Sequence, residues 1–306
     1  MRSGVNMKAL VTGACGFIGS TMVDRLVADG HDVVGIDNES SIAHDQFYYN
    51  PKASYVEKKY SDITTTDPWE SLGNEKFDCV FHMAAECRIQ QCIENPKLCV
   101  TTNILGTINA LEYASRTGSK KFVLSSTSAI YAGHDYLVDE NATPTCLNPY
   151  ASSKLSAEVF CKQYSATTDL DTVIFRYFNV YGERQPVRGS YAPVIGVFQR
   201  QLAEGVAFTI VGDGKQSRDF VHVKDVVDAN VKAAENQKRC GGEIYNIGTG
   251  VGYTVGYVAT LVSPSNPLQY VPARSGEARV TLCDNKKSVD YFGWRPTIVL
   301  SDWLSS

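Results

Sequence analysis

No apolar run in this 306-residue chain approaches the length of a membrane-spanning helix, so no membrane partner is expected. The first residues, Met1-Arg-Ser-Gly-Val-Asn6, carry no apolar core of a secretory signal, and Met7 offers a second candidate start. Basic clusters are missing as well. With 29 Lys and Arg against 33 Asp and Glu, the net charge is −4, which argues against nucleic acid as a partner. The nine cysteines show no CxxC and no metal-ligand spacing, so no metal site is expected. Odd in number and scattered, several within core-like runs, they suit reduced thiols in a cytoplasmic compartment. Repeats and low-complexity segments are absent too. A hydrophobic content of 43% fits a globular chain of one large or two small domains.

The first forty residues hold a complete grammatical unit. Lys8–Thr12 reads as a short apolar strand running into Gly13-Ala-Cys-Gly16-Phe-Ile-Gly19. A helical pattern follows and stops at Gly30, and a second apolar strand, Asp32–Ile36, ends on Asp37. Strand, glycine turn, helix, strand and acid make a dinucleotide-binding unit. The glycines let the backbone approach a pyrophosphate at a helix N-terminus. Asp37, about 20 residues on, suits the hydroxyls of the adenosine ribose and repels a 2′-phosphate, favouring NAD over NADP.

Beyond Asp37, strand and helix patterns alternate to about residue 180. Strands are expected near Tyr55, at 77–82, 121–126 and 171–177, and one long helix from about Pro96 to Arg116. This alternation predicts an α/β fold with a doubly wound parallel sheet and ligands gathered at the strands' carboxyl ends. From Gly182 the texture changes to loops rich in Gly, Pro and Arg, with strand grammar returning at Gly242–Gly248. The expected division is 7–180 plus about 221–250 for the Rossmann-type cofactor domain. A smaller, interleaved α/β substrate domain takes about 181–220 plus 251–306.

A Tyr-x-x-x-Lys spacing occurs three times, and local physics separates the three. Pro51 interrupts Tyr48/Lys52, and Tyr55/Lys59 lies in strand-like sequence. Only Tyr150/Lys154 sits in a good helix start, with Asn148 as N-cap and Pro149 in the first turn. There the two side chains stack on one face, where the ammonium can stabilise a phenolate.

In these motifs the chain resembles the extended short-chain dehydrogenase/reductases of the NAD-dependent epimerase/dehydratase family. It is most similar to the nucleotide-sugar 4-epimerases of the UDP-glucose type. The likeness is carried by Thr12–Gly19, Asp62-Ile63, His82–Ala85, Ser125–Thr127, Tyr150 to Lys154, Arg176–Gly182, Gly212–His222 and Tyr245–Gly248, and it runs from about Lys8 to Trp303. The resemblance implies NAD as cofactor and a nucleotide sugar as substrate. Gly13, Gly16, Phe17, Ile18 and Gly19 would meet the pyrophosphate. Asp37 and Asn38 would hold the ribose, while Asp62 and Ile63 would flank the adenine. Met83, Ala84, Ala85, Thr102 and Phe178 would lie on the nicotinamide side. Thr127, Tyr150 and Lys154 match the catalytic positions, and Lys154 would also bind the nicotinamide ribose. Asn179, Arg218 and Arg274 would bind the sugar nucleotide, and Thr281 would face the sugar's C2 substituent. Glu86 would touch cofactor or a substrate hydroxyl. A homodimer is likewise implied, through helices near 100–116 and 150–166.

The implied chemistry is proton removal from the C4 hydroxyl by Tyr150, transient oxidation at C4, rotation of the sugar and return of the hydride. Related 4,6-dehydratases need an Asp-Glu pair directly after the catalytic Thr. Here those positions are Ser128 and Ala129, which favours plain 4-epimerisation. Glu86, which follows His82-Met-Ala-Ala as in dehydratases, keeps that rival open, as do a 2-epimerase and a reductase. From another class, a non-catalytic NAD-binding regulator would have no use for the Thr127, Tyr150 and Lys154 set. A small Thr281 leaves room for an N-acetyl group, and no residue names the nucleotide base.

Overall fold

A computed structural model describes residues 6–41, 44, 46–187, 192–273 and 278–305. Its organising element is a seven-stranded sheet. From one edge to the other the strands are Ile244–Ile247, Asp171–Tyr177, Lys121–Thr127, Cys79–His82, Lys8–Thr12, Asp32–Ile36 and Ser54–Tyr55. Every pairing is parallel. Lys121–Thr127 and Asp171–Tyr177 are buried along their whole length, as expected when helices cover both faces. One face packs Met22, Val23, Leu26, Val226 and Val227 onto Val11, Phe81 and Val123. The other packs Ala110, Leu111, Ala114, Ala157 and Cys161 onto Leu10, Val80 and Leu124.

The strand-order reversal lies between Lys8–Thr12 and Cys79–His82, so the crevice opens where Gly13 and Met83 leave the sheet. Helix Phe17–Ala28 starts there, with Gly16 as its N-cap and no side-chain cap, and ends before Gly30 at φ +90°. Helix Pro149–Thr167 begins as its sequence predicts, with the Asn148 side chain accepting from the Ala151 amide at 2.9 Å.

The expected long helix 96–116 is broken. Asn95 closes one short helix, Ile89–Glu94, and caps the next, Pro96–Val100, by accepting from the Leu98 amide. Thr101–Leu105 is then a π-helical turn before the regular helix Gly106–Arg116. The wide turn brings Asn103 inward. Its amide meets both backbone groups of Glu86, at 2.8 and 2.9 Å, and the Ser153 hydroxyl at 2.9 Å. Such bulges recur at functional sites because they re-aim one side chain without ending a helix.

A second layer of structure follows the sheet. Strands Gly252–Thr254, Ser217–His222, Val280–Cys283 and Leu137–Val138 form one sheet path, with Asn179–Tyr181 paired to Ser217–His222. Phe208–Val211 pairs with Leu268–Val271. Tyr181, Phe198, Phe208, Val258 and Leu300 make this region's own core. The sequence division put all of 251–306 here. In the structure Trp294 is instead fully buried against the first lobe, its indole donating to the Asp225 carbonyl at 2.8 Å. Among the described residues, no helix is long and apolar enough to cross a membrane.

Candidate active site

A cavity of about 980 Å³ runs from the glycine turn across the ends of the central strands to the second region. At one end it is lined by Gly13, Gly16, Phe17, Ile18 and Gly19. Gly13 sits at φ +69°, and a Cβ there would stand 2.8 Å from the Ala84 amide nitrogen. Gly13 therefore accepts no side chain; the Gly13 and Ala14 amides donate to the Ile36 carbonyl and the Gly16 amide to the Gly13 carbonyl, and helix Phe17–Ala28 starts without a side-chain cap. Asp37 closes the turn by accepting from the Cys15 amide at 2.9 Å and the Glu39 amide at 2.8 Å. Burial raises its carboxyl above the ordinary value, and these amide bonds oppose that shift. Cys15 itself is fully buried, and burial, with Asp37 second, pushes its thiol up to about 12.

Asn38, Asp62 and Ile63 line the same end. Asp62 is held by its own loop, accepting from the Thr64 amide at 2.9 Å and hydroxyl at 2.8 Å. Along the middle run Met83, Ala84, Ala85, Thr102 and Phe178. Thr12 Oγ1 accepts from the Met83 and Ala84 amides, and His82 lies beneath, bonded to Thr12 at 2.9 Å and Thr107 at 3.1 Å. Burial pushes His82 down to about 3, so it is a neutral support.

Thr127, Tyr150 and Lys154 line the same cavity as Met83–Ala85. Thr127 ends the strand Lys121–Thr127, its hydroxyl oxygen accepting from the Ala129 amide at 3.1 Å. The same hydroxyl bonds the Tyr150 phenol and draws it downward, against burial, which pushes the phenol above its ordinary value. Lys154 is 2% exposed, and burial pushes it down to about 8. Asn179, Arg218 and Thr281 line the far side, with Asn179 Nδ2 donating to Thr281 Oγ1 at 2.9 Å. Asp213, a rival partner for Arg218, is taken by Arg279 at 2.7 Å. Arg274 lies outside the described residues. Glu86 is the exception, for its side chain does not line the cavity and pairs with Arg88.

Two supports were not anticipated. Glu158, one turn past Lys154, is 1% exposed and accepts from Arg176 at 2.9 and 2.6 Å and from Ser126 at 2.5 Å. It ties helix Pro149–Thr167 to two central strands; the signal was the i, i+4, i+8 spacing of Tyr150, Lys154 and Glu158. Ser153 donates to the Tyr150 carbonyl at 2.8 Å and accepts from Asn103, so the π-helical turn also anchors helix Pro149–Thr167. Among the described residues, no group of His, Cys, Asp and Glu is arranged to hold a metal ion.

Residues 9–248 match the model of the NAD dependent epimerase/dehydratase family. The chain belongs to that family. A family member, the UDP-glucose 4-epimerase of Mycolicibacterium smegmatis, is 35% identical over 98% of this chain and 96% of its own length. The crystal structure of UDP-glucose 4-epimerase from Thermotoga maritima with UDP-glucose superposes with a TM-score of 0.88 at 34% identity, covering 97% of this chain and 96% of that one. A UDP-N-acetylglucosamine 4-epimerase from Methanobrevibacter ruminantium, solved with UDP-N-acetylmuramic acid, gives a TM-score of 0.89 at 29% identity over 98% and 96%. The family's cofactor, NAD, fits the residues present. The Gly13 turn, the helix start without a side-chain cap and the Asp37 carboxylate suit a pyrophosphate and an adjacent ribose.

Proposed function

We propose that this chain is an NAD-dependent nucleotide-sugar 4-epimerase, with UDP-hexoses as substrates. The observation that carries the reading is that Thr127, Tyr150 and Lys154 all line one cavity, Thr127 bonded to Tyr150, with Ser128 and Ala129 next to Thr127 instead of carboxylates. Gly13, Gly16, Phe17, Ile18 and Gly19 hold the pyrophosphate, Asp37 and Asn38 the ribose, and Asp62 and Ile63 the adenine. Met83, Ala84, Ala85, Thr102 and Phe178 form the nicotinamide side. Bound NAD supplies a hydride acceptor that returns what it takes, together with a positive charge beside the phenol.

Tyr150 is the base. Moving a phenol from about 10 to neutrality requires roughly 4 kcal/mol of preferential phenolate stabilisation. Thr127 and Lys154 contribute to it, and Lys154 also binds the nicotinamide ribose. Tyr150 takes the C4 hydroxyl proton, and returns it after the 4-keto sugar has turned its other face to the nicotinamide. Arg218, with Arg274, grips the diphosphate while the sugar turns, and Asn179 binds the sugar nucleotide. The cofactor lobe in this reading is 7–180 with about 221–250, and the substrate lobe is the rest, apart from the helix Lys286–Phe292 and Trp294. Nine free thiols suit the reducing cytoplasm. Exposed Leu98, Val100, Leu105 and Val159 suit a homodimer interface along the segments flanking the catalytic helix.

Proton NMR of the purified enzyme with UDP-galactose and, separately, UDP-GalNAc tests the activity. Growth of the gluco-configured anomeric signal, without added cofactor and without a 4-keto-6-deoxy product, is expected. No conversion of either sugar would overturn the UDP-hexose reading. For the N-acetyl sugars, Thr281 beside Asn179 leaves space that an aromatic ring would fill. Thr281→Tyr is expected to lower kcat/KM for UDP-GalNAc by roughly tenfold or more while sparing UDP-galactose. Equal losses on both sugars would refute this role.

A further inference from the structure

We propose that Arg88 is a positioning residue that holds the Glu86 carboxylate out of the sugar end of the cavity and so confines proton transfer to the C4 oxygen. The inference rests on the epimerase reading above.

Glu86 stands in the wall where a stray base would do most harm. Ala85 before it and Cys87 after it both line the cavity, as does Arg88, whereas Glu86 does not. Its side chain is 10% exposed and that of Arg88 is 7%. The guanidinium grips it as a fork, Nε donating to Oε1 at 2.8 Å and Nη2 to Oε2 at 2.5 Å. The Arg88 amide adds a third donor to Oε1 at 3.0 Å. The Glu86 backbone is clamped separately, by the Asn103 amide, which also reaches Ser153 and through it the Tyr150 carbonyl. The main chain of Glu86 is therefore built into the catalytic scaffold, and only Arg88 and rotation about side-chain bonds decide where the carboxylate points.

The rest of the cavity shows why the direction matters. Among its described lining residues, the only carboxylates are Asp37 and Asp62, both at the adenosine end. The sugar end carries hydroxyls, a phenol, an amide and cations. A 4-keto sugar held there has acidic hydrogens at C3 and C5, and plain epimerisation requires that neither be removed. A freed Glu86 would supply the missing base. It would take the C5 proton, the C–H electron pair would become the carbon–carbon double bond of an enolate, and the proton returned to C5 would come from the exchanged carboxyl group. Nothing else is consumed. Arg88 forecloses this by occupying both carboxylate oxygens. Its remaining nitrogen, Nη1, is buried with no hydrogen-bond partner, so every side-chain hydrogen bond the structure records for the guanidinium goes to Glu86. A carboxylate stripped of that partner at such depth is costly to leave unpaired, and the cavity lined by Ala85 and Cys87 on either side of it is the polar space open to it by side-chain rotation.

The test is epimerisation in deuterium oxide, with carbon-bound label read by NMR and by the mass of the recovered nucleotide sugar. Wild-type enzyme should interconvert the C4 epimers with negligible label at C3 and C5. Arg88→Met and the shorter, uncharged but polar Arg88→Gln should each raise label per turnover by at least about tenfold, as a newly positioned general base does. Glu86→Gln/Arg88→Met should bring it back to the wild-type level. Either folded single variant turning over without label overturns the proposal, as does label that persists in the double variant. Arg88→Gln serves where Arg88→Met does not fold. A wild-type enzyme that interconverts nothing would instead overturn the epimerase reading, so the two failures are distinguishable.

Discussion

Tyr150→Phe should lower kcat by a factor of about 10² to 10⁴, the usual range for removing a positioned general base. The substitution deletes one oxygen and keeps the ring, so the cavity wall, Lys154 and the Ser153 bond to the residue 150 carbonyl remain. Thr127 is left facing the C4 hydroxyl, but an aliphatic hydroxyl is a far weaker base than a phenolate stabilised by an ammonium. The loss should therefore appear in kcat, with KM for the nucleotide sugar and retention of NAD little changed. The pH profile gives the sign. Burial raises the phenol and the Thr127 bond lowers it, so the active phenolate is favoured as pH rises. The wild-type rate should climb with pH through the phenol's apparent pKa, and the residual rate of the variant should not. A variant within tenfold of wild type would remove Tyr150 from the mechanism.

The second large effect is expected at Gly19. A Cβ there would lie 1.9 Å from the Gly13 carbonyl oxygen, 2.7 Å from its carbon and 3.1 Å from the Ala14 Cα. All three obstacles are backbone, so no side chain can swing aside. Gly13 is itself held in place, its amide donating to the Ile36 carbonyl at 2.8 Å. Gly19→Ala must then lift the helix start off the turn, and the amides that face the pyrophosphate move with it. Overpacking of this kind costs about 1–3 kcal/mol. If it falls wholly on the bound state, NAD affinity drops roughly 10- to 100-fold. Calorimetric titration with NAD and the bound-nicotinamide content of freshly purified protein measure this directly. Unchanged affinity and content would show that the turn can relax.

Which parts of this were legible in the sequence follows the range of the interactions involved. The glycine turn and the Asn148–Pro149 helix start are local devices, each set by residues within a few positions of one another, and Asp37 falls at the end of the next strand of the same unit; all stand in the structure as their spacing predicts. The broken run 96–116 was not legible. Thr101, Thr102, Asn103 and Gly106 are weak helix formers, but nothing local in them specifies a π-helical turn, which answers a tertiary need, the placing of Asn103 between Glu86 and Ser153. Glu86 went astray for a related reason. A carboxylate beside a cofactor wall suggests contact with the ligand, and only the side-chain directions reveal that Arg88, two residues on, has claimed it. Trp294 shows the limit for domain boundaries. It comes just after helix Lys286–Phe292 near the end of the chain, and its indole is held by Asp225 in helix Val223–Glu235, about seventy residues earlier.

The glycine turn at one end of the cavity and Arg218 and Thr281 at the other bound a single continuous volume. Occupants of the two ends therefore share one space. A nucleotide diphosphate seated at the Arg218 end would crowd a dinucleotide at the other and slow its escape. Dialysis against such a nucleotide should then leave the protein's dinucleotide residence time longer than dialysis against buffer. Tenancy at one end of the cavity would thus set the length of stay at the other.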